Sequence, residues 1–179
     1  MKLLICLLLA LSGPVMLKAQ VWTDIQNLKI NFTIKNAGIK VEGGFSDISA
    51  KVNFDEKNIS RSSFEGVIKT NSIQTGQSLR DDHLRNKSEF FNVKKFPIIT
   101  MKSLSVGSTQ TGGSFKVDWL ITMKGISKKI TTDVLVHSLG NSLYMLTVFK
   151  INRRDWKVGS NSLFMSDDVV VTLSGNLLN

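Results

Sequence analysis

His83 and His137 are the only imidazoles in this 179-residue chain, and His83 stands next to two carboxylates, Asp81 and Asp82. Such a trio is a candidate for metal binding or acid–base work. The spacing argues against both. On a helix residues 81 and 83 diverge, and 82 and 83 are adjacent, so neither pair converges on one ligand or one proton. The sequence has no H-x-x-x-H or H-E-x-x-H spacing. It also has no G-x-S-x-G nucleophile turn. Gly43-Gly44 and Gly112-Gly113 read as turn glycines, not as a phosphate cradle. No catalytic residue, metal site or cofactor is expected, and the chain is not read as an enzyme.

Binding is the chemistry these residues favour. Ser78 to Pro97 gathers charges, His83 and three phenylalanines between alternating segments. Ser78 to Lys87 reads as a short helix, with Ser78 as its cap and Asp81 completing a capping box. Asp81 and Asp82 suit the positive end of the helix dipole, and Asp81 is spaced to pair with Arg85. Pro97 ends the segment. The whole reads as a helical lid whose following turn carries Phe90 and Phe91 inward. Arg80 and Arg85 either hold that lid or meet an anionic head group, with His83 as a hydrogen-bonding neighbour.

The elements that position the lid are strands. Leu28, Ile30, Phe32 and Ile34 alternate with Lys29, Asn31, Thr33 and Lys35, and Phe115 to Met123 repeats the pattern. Eight such runs are expected: 28–36, 45–54, 64–73, 98–106, 114–123, 129–138, 142–152 and 168–177. Gly43-Gly44, Gly112-Gly113 and Gly140-Asn141 are expected to separate several of them. Many short strands with tight turns favour an all-β closed antiparallel barrel or a sandwich. Inward positions include Ile30, Phe32, Ile34, Met101, Trp119 and Phe149. Together with Phe90, Phe91 and Trp156, these are the candidates for an apolar cavity. An eight-stranded barrel either fills itself with side chains or holds one small ligand, and alternation does not separate the two.

The N-terminus sets the expected location. Met1-Lys2, the apolar run Leu3–Leu11, the break at Ser12-Gly13-Pro14 and Ala19 form a secretory signal-peptide pattern over residues 1–19. The run is short for a bilayer span. The single cysteine, Cys6, lies inside it, so residues 20–179 form one expected domain without thiol or disulfide chemistry. Losing Lys2 and Lys18 lowers the formal charge from +9 to +7. That excess suits an anionic membrane surface as well as scattered solvated lysines. No basic run interleaved with aromatics marks a nucleic-acid site.

Several motifs resemble those of the YceI-like family of exported lipid-binding proteins. Arg80-Asp81-Asp82-His83-Leu84-Arg85, Phe90-Phe91-Asn92-Val93 and Phe96-Pro97-Ile98-Ile99-Thr100 are similar to its central signature. Ser72–Gly76, Leu120–Lys128, Asn152–Trp156 and Gly43-Gly44-Phe45 match further elements in order. The resemblance implies an eight-stranded, lipocalin-like barrel that holds a long-chain isoprenoid or similar lipid. It also implies a periplasmic or secreted protein that often forms a homodimer. Two positions depart from the pattern: Asn36 stands where a histidine is usual, and Lys157 where a glycine is usual. An exported barrel that acts through its surface, with a side-chain-filled interior, is the competing expectation.

Overall fold

A computed structural model describes residues 21–178; the signal-peptide reading of residues 1–19 lies outside them. The strands are β1 (Val21–Trp22), β2 (Asp24–Asn36), β3 (Ile39–Phe45), β4 (Ile48–Asp55), β5 (Ser63–Lys69) and β6 (Ile73–Gln74). After helix α1 (Ser78–Asn86) come β7 (Ile98–Ser108), β8 (Ser114–Met123), β9 (Ile126–Leu139), β10 (Ser142–Asn152) and β11 (Met165–Leu178). They form one antiparallel sheet in the order β1-β4-β5-β7-β8-β9-β10-β11-β2-β3-β6. The sheet curls as a barrel so that β2 comes round beside β4.

The expected all-β barrel with a helical lid is present, with more strand segments than eight. The added segments are β1, β3 and β6, and β3 forms a hairpin with β2. Its turn, Ala37-Gly38, has both residues at positive φ (50° and 79°), the twist that suits a two-residue hairpin. Gly43 and Gly44 are not turn residues. They lie in β3, paired with Phe32 and Asn31. A Cβ on Gly43 would run into the Phe32 ring and come within 2.9 Å of the Gln74 carbonyl. Glycine here admits a close cross-strand approach, a second use of glycine in strands.

Interior filling grades along the barrel axis. At one end Phe54, Phe64 and Phe115 stack, with centroids 5.3 Å apart for Phe54–Phe115 and 5.9 Å for Phe64–Phe115. Trp119 packs on Phe64 next in line, and its indole N–H donates to Thr132 Oγ1 at 2.9 Å. Toward the other end of β8, Ile121 and Met123 border open space beneath the lid.

The lid is built differently from its expected capping. Gln77 is the N-cap and gives no side-chain bond; Ser78 is already helical. Asp81 turns back and accepts from the N–H and the hydroxyl of Thr75. Arg85 does not pair with Asp81 but donates to the carbonyls of Asn71 (2.9 Å) and Ile73 (2.6 Å). Open carbonyls within the 3-10 turn at Thr70–Ser72 and at the start of β6 compete better for a guanidinium than a carboxylate already occupied by Thr75.

A candidate apolar ligand cavity

Beneath the lid lies a cavity of about 180 Å³. β2 contributes Ile30, Phe32 and Ile34 to its wall, spaced two apart as strand geometry requires. Met101 of β7 and Phe149 of β10 face them, and Phe90 and Phe91 close the top. Phe91 is buried and meets Phe45 edge-on at 5.9 Å, and Phe45 tilts against Phe32 at 6.1 Å. Edge-to-face contact holds the lid phenyl in one orientation over the wall.

Polar groups gather at the lid end. Asn36 closes β2, Thr75 precedes α1, and Arg80 and Arg153 border the space. Arg80 Nε donates to Thr75 Oγ1 and its Nη2 to the Thr75 carbonyl, both at 2.7 Å. Its Nη1 has no hydrogen-bond partner among the described residues, and the side chain borders the cavity.

Arg153 is a site residue that alternation does not reveal, because it follows the end of β10. It donates through Nε to Ser166 (2.9 Å), through Nη1 to Val158 (2.7 Å) and Ser160 (3.2 Å), and through Nη2 to Met165 (3.4 Å), all carbonyls. A salt bridge joins it to Asp167. Burial pushes its pKa below the ordinary arginine value, Asp167 opposes that shift, and Arg154 adds to it. Gly159 (φ 75°) passes so close that a Cβ would meet Phe90 at 3.2 Å and overlap the Arg153 guanidinium. The signal for Arg153 was present only in the Asn152–Trp156 motif.

Lys124, at positive φ in the β8–β9 turn, fastens the lid. Its ammonium donates to the carbonyls of Ser88 (3.0 Å), Glu89 (3.1 Å) and Lys157 (2.8 Å). Burial lowers its pKa, and Glu89 opposes the shift.

Of the residues singled out from sequence, Ile30, Phe32, Ile34, Phe90, Phe91, Met101, Phe149 and Arg80 surround this cavity. Trp119 instead borders a smaller one of about 70 Å³ deeper in the barrel. Trp156 borders neither; it is buried against β8, donating to the Ile121 carbonyl at 3.2 Å. His83 and Arg85 lie on the lid outside both walls. Among the described residues no three His, Cys, Asp or Glu side chains gather to hold a metal ion. An apolar wall with two cations at one end can hold a chain and meet a polar or anionic terminus.

Residues 23–177 match the YceI-like domain model. A protein of Yersinia pestis (strain Pestoides F) described as a UPF0312 protein is 37% identical over 117 residues, 65% of this chain and 59% of that one. The match therefore spans about three-fifths of the curated relative's length. Among solved structures, BcnA of Burkholderia cenocepacia superposes with a TM-score of 0.81 at 23% identity, over 86% of this chain and 99% of BcnA. The YCEI protein of Campylobacter jejuni gives 0.70 at 26% identity, over 76% and 83%. A polyisoprenoid binding domain from Saccharophagus degradans gives 0.66 at 16% identity, over 90% and 99%. The first and third likenesses are of fold.

Proposed function

The chain belongs to the YceI-like domain family, and from that premise we propose that it is an exported carrier holding a long apolar, isoprenoid-type lipid inside its barrel, for transport, storage or sequestration. The observation that carries this reading is the roughly 180 Å³ space walled by Ile, Phe, Met and Val side chains, with cations at one end only. A barrel acting solely through its surface has no use for that void, since an unfilled apolar cavity forfeits packing. Each buried methylene contributes about 0.8 kcal/mol, so an isoprene unit contributes roughly 3–4 kcal/mol before the costs of association. The tail then supplies affinity, and the lid end receives the terminus. Arg80, with open Nη1 donors, is the residue for a head group; Arg85 and Arg153 are committed to backbone carbonyls. The resemblance of a solved polyisoprenoid binding domain in fold supports the ligand class. Export rests on residues 1–19.

The test is to purify the protein from its own host without detergent, extract it with organic solvent and identify the extract by mass spectrometry. A prenyl lipid near one per protein is expected. Extracts free of apolar ligand across several preparations would overturn the reading.

A further inference from the structure

The two cavities share four wall residues, Ile30, Ile68, Met101 and Leu173. The outer one lies under the lid; the inner one continues along the barrel axis to Trp119 and Met145. A layer one side chain thick separates them. On the inner side three small residues line the wall: Ala50, Gly66 and Gly175.

Gly66 is the informative one. It sits in the middle of β5, where glycine weakens a strand and marks a bulge, a bend or a close approach. None of these applies. Its pairing with Ala50 on β4 and Met101 on β7 is regular. Its φ lies outside the left-handed range, and an added Cβ would stand 3.9 Å from the Met101 carbonyl and 4.0 Å from that of Ser49, ordinary contact distances. Phe64 and Ile68, two residues either side, are buried inward, while Glu65 points out to Lys102. Alternation therefore aims position 66 into the barrel. The backbone does not require glycine there; the effect of its missing side chain is empty space just past the Met101 layer.

We propose that the inner chamber at Ala50–Gly66 receives the far end of the bound apolar chain, and that Met101 and the bare position 66 together set the longest chain the barrel accepts. This rests on the carrier reading above and adds a ruler to it. Met101 suits a divider because an unbranched thioether changes rotamer at little cost. A short chain ends in the outer chamber. A longer one displaces the Met101 side chain and runs on past Gly66.

The experiment measures affinity for a series of prenols, from geraniol to an octaprenol, by displacement of a fluorescent apolar probe. Wild type, Gly66→Val and Met101→Ala are compared. Gly66→Val should leave the shortest prenols within about twofold and weaken the longest by about tenfold or more, the loss expected when a few methylenes no longer fit. Met101→Ala should open the layer and shift the preference toward longer chains. A cooperative thermal melt near that of wild type shows that each variant is folded. If Gly66→Val unfolds, Gly66→Ala should give the same trend with a smaller amplitude. Binding by wild type with no change in length dependence in either variant overturns the ruler and leaves the carrier reading standing. No prenol binding by wild type overturns both.

Discussion

Arg153 Nη2 donates to Asp167 Oδ1 at 2.7 Å where β10 hands over to β11, joining a side chain 4% exposed to one 45% exposed. The guanidinium also gathers four carbonyls from residues 158–166. One cation thus organises the whole segment beside Phe90 and the cavity. Arg153→Met should lower stability by about 3 kcal/mol, near the low end for breaking a buried pair because Asp167 stays half-solvated. Asp167→Asn should cost about 1 kcal/mol, since the four carbonyl bonds survive. Urea unfolding of both variants checks the ratio; equal losses would show that the carboxylate, not the carbonyl cage, holds the segment.

Arg80 and Arg85 look equivalent in sequence but sit differently. Arg85 does not line the cavity and donates to the carbonyls of Asn71 and Ile73, whereas Arg80 lines it and leaves Nη1 without a partner among the described residues. Arg80→Met should weaken binding of a prenyl phosphate by about tenfold while changing binding of the matching prenol little, as expected for one lost charge-assisted bond. Arg85→Met should lower stability by about 1–2 kcal/mol by leaving two carbonyls unpaired, with the phosphate-to-prenol ratio unchanged. Calorimetric titration with both ligands separates the roles.

Acid sensitivity should come from carboxylates on the barrel's outer face. Asp118 accepts from Thr131 (2.6 Å) and Ser105 (2.7 Å), and these bonds hold its pKa below the ordinary value, the Thr131 bond most. Glu42 and Glu65 are lowered by hydrogen bonds and charge from Lys40 and Lys102. A carboxylate whose folded pKa is depressed contributes stability that is fully present above its unfolded pKa and is lost as pH falls through the folded one. Stability should therefore be flat near neutral pH and decline below about pH 4. Asp118→Asn should make that decline shallower in thermal melts taken at a series of acid pH values; an unchanged acid slope would contradict the assignment.

What the sequence revealed followed from period two. Phe115, Val117, Trp119 and Ile121 alternate cleanly and are all buried on β8. β3 escaped notice because its inward positions are Val41, Gly43 and Phe45, and a glycine pair at 43–44 imitates a turn. Only the Phe32 ring packed over Gly43 shows why glycine stands there. The lid's existence was legible from its charges, but its fastening was not. Asp81, Arg85, Lys124 and Arg153 bind backbone groups on other segments, and sequence spacing does not record such partners. Lys157 shows the reverse: it stands where the resembling family usually has glycine, and it adopts φ 54°, the left-handed conformation that glycine takes without strain.

On the proposed carrier reading the protein must reach a lipid, and the lid end has an apolar rim. Leu163 is fully exposed, Phe164 is 70% exposed and Ile39 is 69% exposed. They belong to one structure: the Ala37 N–H donates to the Phe164 carbonyl at 2.8 Å, and Met165 pairs with Asn36, so the 160–164 loop is tied to the β2–β3 turn. Ser162 Oγ accepts from the N–H groups of Phe164 and Met165 at 3.1 Å, which fixes the tip. Nearby cations in sequence are Lys35, Arg154 and Lys157, and the lid carries Lys94 and Lys95; Lys40 is paired with Glu42 at 2.6 Å. Apolar tips flanked by positive charge suit an anionic membrane surface. Replacing Leu163 and Phe164 together with serine should reduce co-sedimentation with phosphatidylglycerol vesicles by about fivefold or more and leave the unfolding midpoint within about 0.5 kcal/mol, because neither side chain is in the core. Lys94→Glu with Lys95→Glu should weaken the same binding at low salt and less at high salt. Vesicle binding that survives both pairs of changes would rule out this rim as the docking edge.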